Sequence, residues 1–106
     1  MKINGRDILF KPNFIAELEE IKEYLGQFGN QPLQNFLTEL EYLLTDRIPN
    51  YPESYPEYKK KLTPQKEYRR ALFRKKYYVI YRVDATTIDY ILIYHSSRNP
   101  DNISIE

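Results

Sequence analysis

The chain carries a single histidine, His95, in the run His95-Ser96-Ser97-Arg98-Asn99-Pro100. An imidazole titrates near neutrality, so this side chain can take up or release a proton at physiological pH. Arg98 follows three residues later and offers a planar fork that can clamp an anion through two bonds. Upstream lie Arg69, Arg70, Arg74, Lys75, Lys76 and Arg82, spread over two β-rich runs that also contain Tyr81. A proton carrier beside cations at a strand end is the make-up of an anion-binding or acid–base site. Each group also has a plainer use. His95 can bond backbone at the strand end. Arg98 can pair with Asp101 or with a helix acid. Arg70 and Arg74 can form a solvated strand face, and the tyrosines can be sheet packing, with a large apolar ring and a polar tip.

Other chemistries lack their residues. The chain has no cysteine, which removes a disulfide framework and a thiolate zinc site. It has no Gly-rich phosphate loop, and no cofactor is implied. At 106 residues it is expected to be one domain, 1–106, large enough to bury a core without metal or disulfide support. Met1-Lys2-Ile3-Asn4-Gly5-Arg6-Asp7 lacks the apolar stretch of a signal peptide, and no apolar run is long enough to span a bilayer. A cytoplasmic protein with no membrane partner is expected.

The net charge of +1 hides an asymmetry. Residues 59–83 hold Lys59, Lys60, Lys61, Lys66, Arg69, Arg70, Arg74, Lys75, Lys76 and Arg82 against one acid, Glu67. Residues 13–47 hold Glu17, Glu19, Glu20, Glu23, Glu39, Glu41 and Asp46 against Lys22 and Arg47. The basic half is expected to attract an acidic protein segment or nucleic acid, although basic residues also serve to blunt sheet edges.

The elements that must position these groups follow from periodicity. Residues 6–10 read as a short strand. Asn13 is a plausible N-cap after Pro12, and Phe14, Leu18, Ile21, Leu25 and Phe28 recur at helical spacing. Gly26 and Gly29-Asn30 end that helix, and Pro32 suits the first turn of the next. Leu33, Phe36, Leu37, Leu40, Leu43 and Leu44 form its stripe, with Pro49 at the end. The short connection predicts an antiparallel helical hairpin. Pro49, Pro52, Pro56 and Pro64, interleaved with Tyr51, Tyr55 and Tyr58, predict an ordered extended loop over 49–64 whose tyrosines pack on the domain. Residues 68–74, 77–83 and 88–94 then read as three strands, the last two a hairpin. The result is an α+β fold in the order β-α-α-β-β-β. The N-terminal strand and helical hairpin pack on one face of a twisted antiparallel sheet, and the opposite face is left available. By alternation Tyr78, Ile80 and Arg82 point one way, Tyr77, Val79, Tyr81 and Val83 the other, and Arg70, Leu72 and Arg74 share a side.

This order, the basic strand, Tyr78-Val79-Ile80-Tyr81-Arg82-Val83 and the ending His95-x-x-Arg98-x-Pro100 resemble the RelE/ParE superfamily of bacterial type II toxins over about residues 6–103. The resemblance implies a small toxin held inactive by a cognate antitoxin, in a toxin–antitoxin hetero-oligomer. It also implies one of two targets. RelE-like members are ribosome-dependent mRNA interferases. For metal-free RNA cleavage Arg70, Arg74 and Arg82 would offset phosphate charge, His95 would move a proton, Arg98 would clamp phosphate and Tyr81 would orient the 2′-hydroxyl. ParE-like members inhibit DNA gyrase and need a surface, not a catalytic group. The long amphipathic helices look ParE-like, and Tyr78 occupies a position where RelE-like strands often carry arginine. The ParE-like reading is therefore preferred, with Arg69, Arg70, Arg74, Lys75, Lys76, Arg82 and the segment Arg98-Asn99-Pro100 as candidate partner contacts.

Overall fold

The computed structural model describes residues 1–58 and 68–98. Lys59, Lys60, Lys61, Pro64, Lys66 and Glu67, and Asn99, Pro100 and Asp101 at the other end, lie outside the described residues. The chain opens with β1 (Lys2–Ile3) and β2 (Arg6–Phe10), followed by α1 (Pro12–Gly26) and α2 (Asn30–Tyr42). A π-helical turn (Leu43–Arg47) and the short α3 (Ile48–Asn50) extend α2. The strands β3 (Tyr68–Phe73), β4 (Tyr77–Val83) and β5 (Thr87–His95) complete the fold. All five strands form one sheet in the order β1-β2-β5-β4-β3. The fold class is the expected one, with a refinement at the centre. β2 pairs with β5 in parallel, Ile8 opposite Ile88 and Phe10 opposite Tyr90, so the sheet is mixed. A parallel pair needs a crossover, which the helical hairpin and β3–β4 supply together.

The first hairpin was legible but not expected. Asn4-Gly5 joins β1 to β2, both residues with positive φ (52° and 82°). Asn-Gly is the preferred sequence for such a turn. The β3–β4 turn is built the same way from the wrong residues: Arg74 and Lys75 have φ of 55° and 60°. A left-handed conformation costs an ordinary residue about 1–2 kcal/mol.

Helix α1 starts two residues earlier than an Asn13 cap would place it. Lys11 is in the capping position and Pro12 in the first turn, where its missing N–H is no loss, so Asn13 lies inside the helix. Phe14 is buried, Leu18, Ile21 and Leu25 pack partly against the core, and Phe28 lies past the helix end, 60% exposed. In α2, Phe36 and Leu40 are buried, and the π-helical turn adds Leu43 and Leu44. Pro49 does not stop the helix before it; it sits within α3, and the helical path ends at Asn50.

The two helices cover one sheet face. Their apolar residues meet Ile8, Ala71, Phe73, Tyr77, Val79, Tyr81, Ile88, Tyr90 and Ile93. Strict alternation along β5 would send Tyr90 and Ile93 to opposite faces. A bulge prevents this. Tyr81 pairs with Tyr90 while Ile80 pairs with Leu92, so Ile91 is the extra residue. The face away from the helices carries a cluster of its own. Tyr68, Ile80, Ile91, Leu92 and Tyr94 form a second buried cluster, with Tyr58 and Tyr78 packed against it.

Two buried tyrosines of the sheet reach across the helix-side core. Tyr90 donates to the Leu44 carbonyl at 2.6 Å, and Tyr81 donates to the Pro52 carbonyl at 2.5 Å. Residues 51–58 are thereby drawn onto the domain as expected. Tyr55 packs on the main core, whereas Tyr51 is 68% exposed. The Pro56 carbonyl accepts from Arg70 N–H and Tyr58 N–H donates to the Tyr68 carbonyl, so this loop borders the first half of β3.

Tyr90→Phe keeps the ring and deletes one buried hydrogen bond. It is expected to destabilise the fold by about 1–2 kcal/mol in urea unfolding. At the β4–β5 turn, Asp84 accepts from the Thr86 and Thr87 backbone N–H groups at 2.9 and 2.8 Å. These bonds lower its pKa from 3.8 to about 2. A depressed carboxylate pKa adds stability that is complete above the unfolded value and disappears as pH falls through the folded one. Asp84→Asn is therefore expected to lower Tm at pH 7, with the gap closing between about pH 4 and pH 2.

Candidate functional site

The chain folds His95 and Arg98 against α1. β5 ends at His95, and Ser96 N–H then donates to the Lys76 carbonyl at 2.7 Å, tying this end to the β3–β4 turn. The His95 ring meets Tyr77 edge-on at 5.3 Å between centroids. Its Nδ1 accepts from Ser97 N–H at 3.1 Å and lies 2.7 Å from Ser97 Oγ. An Nδ1 that accepts leaves Nε2 to carry the proton in the neutral ring. Arg98 donates to Glu17 of α1 at 2.5 Å. The cleft between these groups and the second half of α1 has a volume of about 660 Å³ and is lined by Tyr24, Phe28, Lys76, Tyr77, His95 and Arg98 among others. Burial raises the pKa of Tyr77, opposed in part by Arg74.

The other candidate groups are distributed around the sheet. Arg70 lies on the face away from the helices. Its guanidinium sits 4.1 Å from the Tyr78 ring centre and 5.3 Å from that of Tyr58, and it donates to the Tyr94 hydroxyl at 3.3 Å. Arg69 points to the helix side and donates to the Tyr55 and Glu53 carbonyls at 2.7 and 3.3 Å. Arg74 does not share a side with Arg70 and Leu72 as alternation suggested. The strand ends at Phe73, and the left-handed turn swings Arg74 to the helix side, onto Glu39 at 3.1 Å and near the Phe36 ring. Arg82 is bonded to Asp89 at 2.5 Å. Tyr81 is fully buried, its hydroxyl committed to Pro52, and burial raises its pKa well above the ordinary tyrosine range. Lys75 and Lys76 are exposed at the turn.

Of the groups expected to work together, the structure unites His95, Arg98 and Lys76. It leaves Arg70 on the far face and Tyr81 sealed inside. The helix acid that the sequence offered to Arg98 is Glu17. What sequence reasoning missed were Glu39 and Asp89, which neutralise Arg74 and Arg82. The charge asymmetry carried that signal, because an acidic helix hairpin packed on a basic sheet supplies its own counter-charges. Asp89 was further hidden inside an apolar strand run. The aromatic pair Tyr24 and Phe28, 5.3 Å apart and both largely exposed, was also missed as a feature of the cleft.

A family model described as the ParE toxin of the type II toxin–antitoxin system, parDE, matches residues 8–100. The chain belongs to the ParE toxin family. This toxin is also similar in structure to the E. coli DinJ–YafQ toxin–antitoxin complex, with a TM-score of 0.56, 16% identity, and coverage of 86% of this chain and 92% of that one. YafQ from E. coli strain BL21(DE3) gives a TM-score of 0.56 at 17% identity, with coverage of 87% and 94%. At such identity these likenesses speak for a shared fold. No curated protein sequence matches the chain significantly. The chain is thus a type II toxin of the RelE/ParE superfamily, and no helix among its described residues is long and apolar enough to cross a membrane.

Arg82 in this ParE-family chain is held as a structural residue. Asp89 is 2% exposed and its Oδ1 has no partner among the described residues, so Arg82 is its counter-charge. Removing one member of a buried pair strands the other. Arg82→Ala is expected to destabilise the fold by about 3 kcal/mol, read as a lowered urea midpoint.

Proposed function

We propose that this toxin stops growth by docking on DNA gyrase in the cytoplasm and that a cognate antitoxin neutralises it. The observation that carries the reading is the dispersal of the candidate catalytic groups. Phosphodiester cleavage needs a base, an acid and phosphate-binding cations converging within hydrogen-bond reach of one reacting group. Here Arg70 lies on one sheet face, and His95, Arg74 and Arg98 lie on the other. Tyr81 is buried in the helix-side core with its hydroxyl occupied. Arg74 and Arg98 are already paired with carboxylates. A docking inhibitor needs none of these groups to converge.

The antitoxin has an edge to pair with. Among the described residues β3 is the last strand of the sheet. Arg70 N–H and the Tyr68 carbonyl point outward to residues 56–58, so alternation turns the Leu72 N–H and carbonyl outward as well. Neither has a backbone partner among the described residues. Beside them is a cleft of about 550 Å³ between α2 and β3, lined by Glu39, Tyr42, Tyr55, Leu72, Phe73 and Arg74 among others. An extended segment can add to such an edge and place alternate side chains in the cleft. The E. coli relative of the same fold is a toxin–antitoxin complex.

The test combines purified toxin with gyrase and supercoiled plasmid, and in parallel with translating ribosomes and mRNA. Trapped gyrase–DNA adducts with intact transcripts are expected, reversed by equimolar antitoxin. Cleaved transcripts with unaffected supercoiling would overturn the proposal.

A further inference from the structure

The chain builds two turns in which both central residues are left-handed, and it treats them differently. At the β1–β2 turn it uses Asn4 and Gly5, the residue types that adopt this conformation with least strain. At the β3–β4 turn it uses Arg74 and Lys75. Arg74 has a structural reason to be there, because it reaches Glu39 and the Phe36 ring. Lys75 has none. It is exposed, and its ammonium has no partner among the described residues. The next residue, Lys76, is likewise exposed and its ammonium unpaired among the described residues. Strain of this kind persists where the surroundings over-determine it or where function uses it. Here it holds a lysine at the outermost point of a hairpin.

We infer that the β3–β4 turn is a contact for the phosphate backbone of duplex DNA, made by Lys75 and Lys76. The charge distribution selects this partner. Arg74, Arg82 and Arg98 are cancelled by acids of the same chain, so the turn keeps two neighbouring free cations. Lysine is a point charge suited to phosphate oxygens, and it is depleted from protein–protein interfaces, where aromatic residues and arginine dominate. The turn itself is polar and exposed at all three of its residues, Arg74, Lys75 and Lys76. The setting rests on the gyrase reading, in which the toxin meets an enzyme already holding DNA.

Two variants separate strain from contact. Lys75→Gly relieves the left-handed backbone and removes one charge. Lys76→Ser removes a charge and leaves the strain. The isotope-labelled full chain is titrated with a 12-base-pair duplex at low salt and followed by amide shifts. Shifts confined to residues 74–76 and 95–97 are expected. The affinity should fall with salt with a logarithmic slope of about −2, and each variant should reduce that slope by about 1. Lys75→Gly alone should raise Tm, by roughly 4 °C, while weakening binding. Duplex shifts elsewhere on the surface, or unchanged binding in both variants, would overturn the inference. So would a glutamate-rich peptide that shifts the turn when the duplex does not, since the partner would then be protein. Duplex binding at the turn without gyrase inhibition would leave this contact standing and remove the gyrase reading alone.

Discussion

The hydroxyl of Tyr90, bonded to the Leu44 carbonyl, is the joint on which the molecule is assembled. Tyr90 lies on β5, which pairs with both β2 and β4. Leu44 lies in the π-helical turn that follows α2. A wider helical turn changes which carbonyls the helix itself uses, and the Leu44 carbonyl takes a tyrosine from the sheet. The bond sits among packed rings. Phe10 and Phe14 lie 5.5 and 5.9 Å from the Tyr90 ring. A polar group at this depth requires a partner, so the position of α2 over the sheet is specified by a hydrogen bond as well as by packing. Tyr81, across from Tyr90 in the sheet, fixes the loop after α3 in the same way through Pro52.

Once the helices are held there, the electrostatics follow. An acidic helical hairpin lies over a basic sheet, and the ion pairs Glu39–Arg74 and Glu17–Arg98 span the join. Being partly exposed, such pairs add little stability individually. Their effect is to consume charge that would otherwise face a partner. Among the described residues, the surfaces left open to a partner include the lysines of the β3–β4 turn, the second half of the β3 edge, and the exposed rings of Tyr24 and Phe28.

The elements were legible because their signals are local. Helical spacing of Phe14, Leu18, Ile21 and Leu25 and the alternation from Tyr77 to Val83 each report a face directly, and both faces came out as expected. The Asn4-Gly5 turn is an equally local signal, but the strand before it has two residues, too few to show alternation. Other features are not written locally. The parallel pairing of β2 with β5 joins residues about eighty positions apart. The bulge at Ile91 resides in an apolar run that looks uniform, yet it decides that Tyr90 and Ile93 share a face. The site was harder still. Arg70, Arg74 and Arg98 have the right chemistry for a phosphate, and only packing shows that each is already engaged by Tyr78, Glu39 or Glu17. Composition counts charges, whereas function depends on the ones left unpaired.

If recognition surfaces rather than a catalytic side chain stop growth, the proton carrier at the end of β5 is dispensable. The most direct measurement is the growth of cells induced for His95→Ala, with antitoxin binding measured on the same variant to verify the fold. The account predicts growth arrest as complete as for the natural chain. A variant that binds antitoxin at full strength yet no longer arrests growth would contradict it, and would place His95 in a working active site.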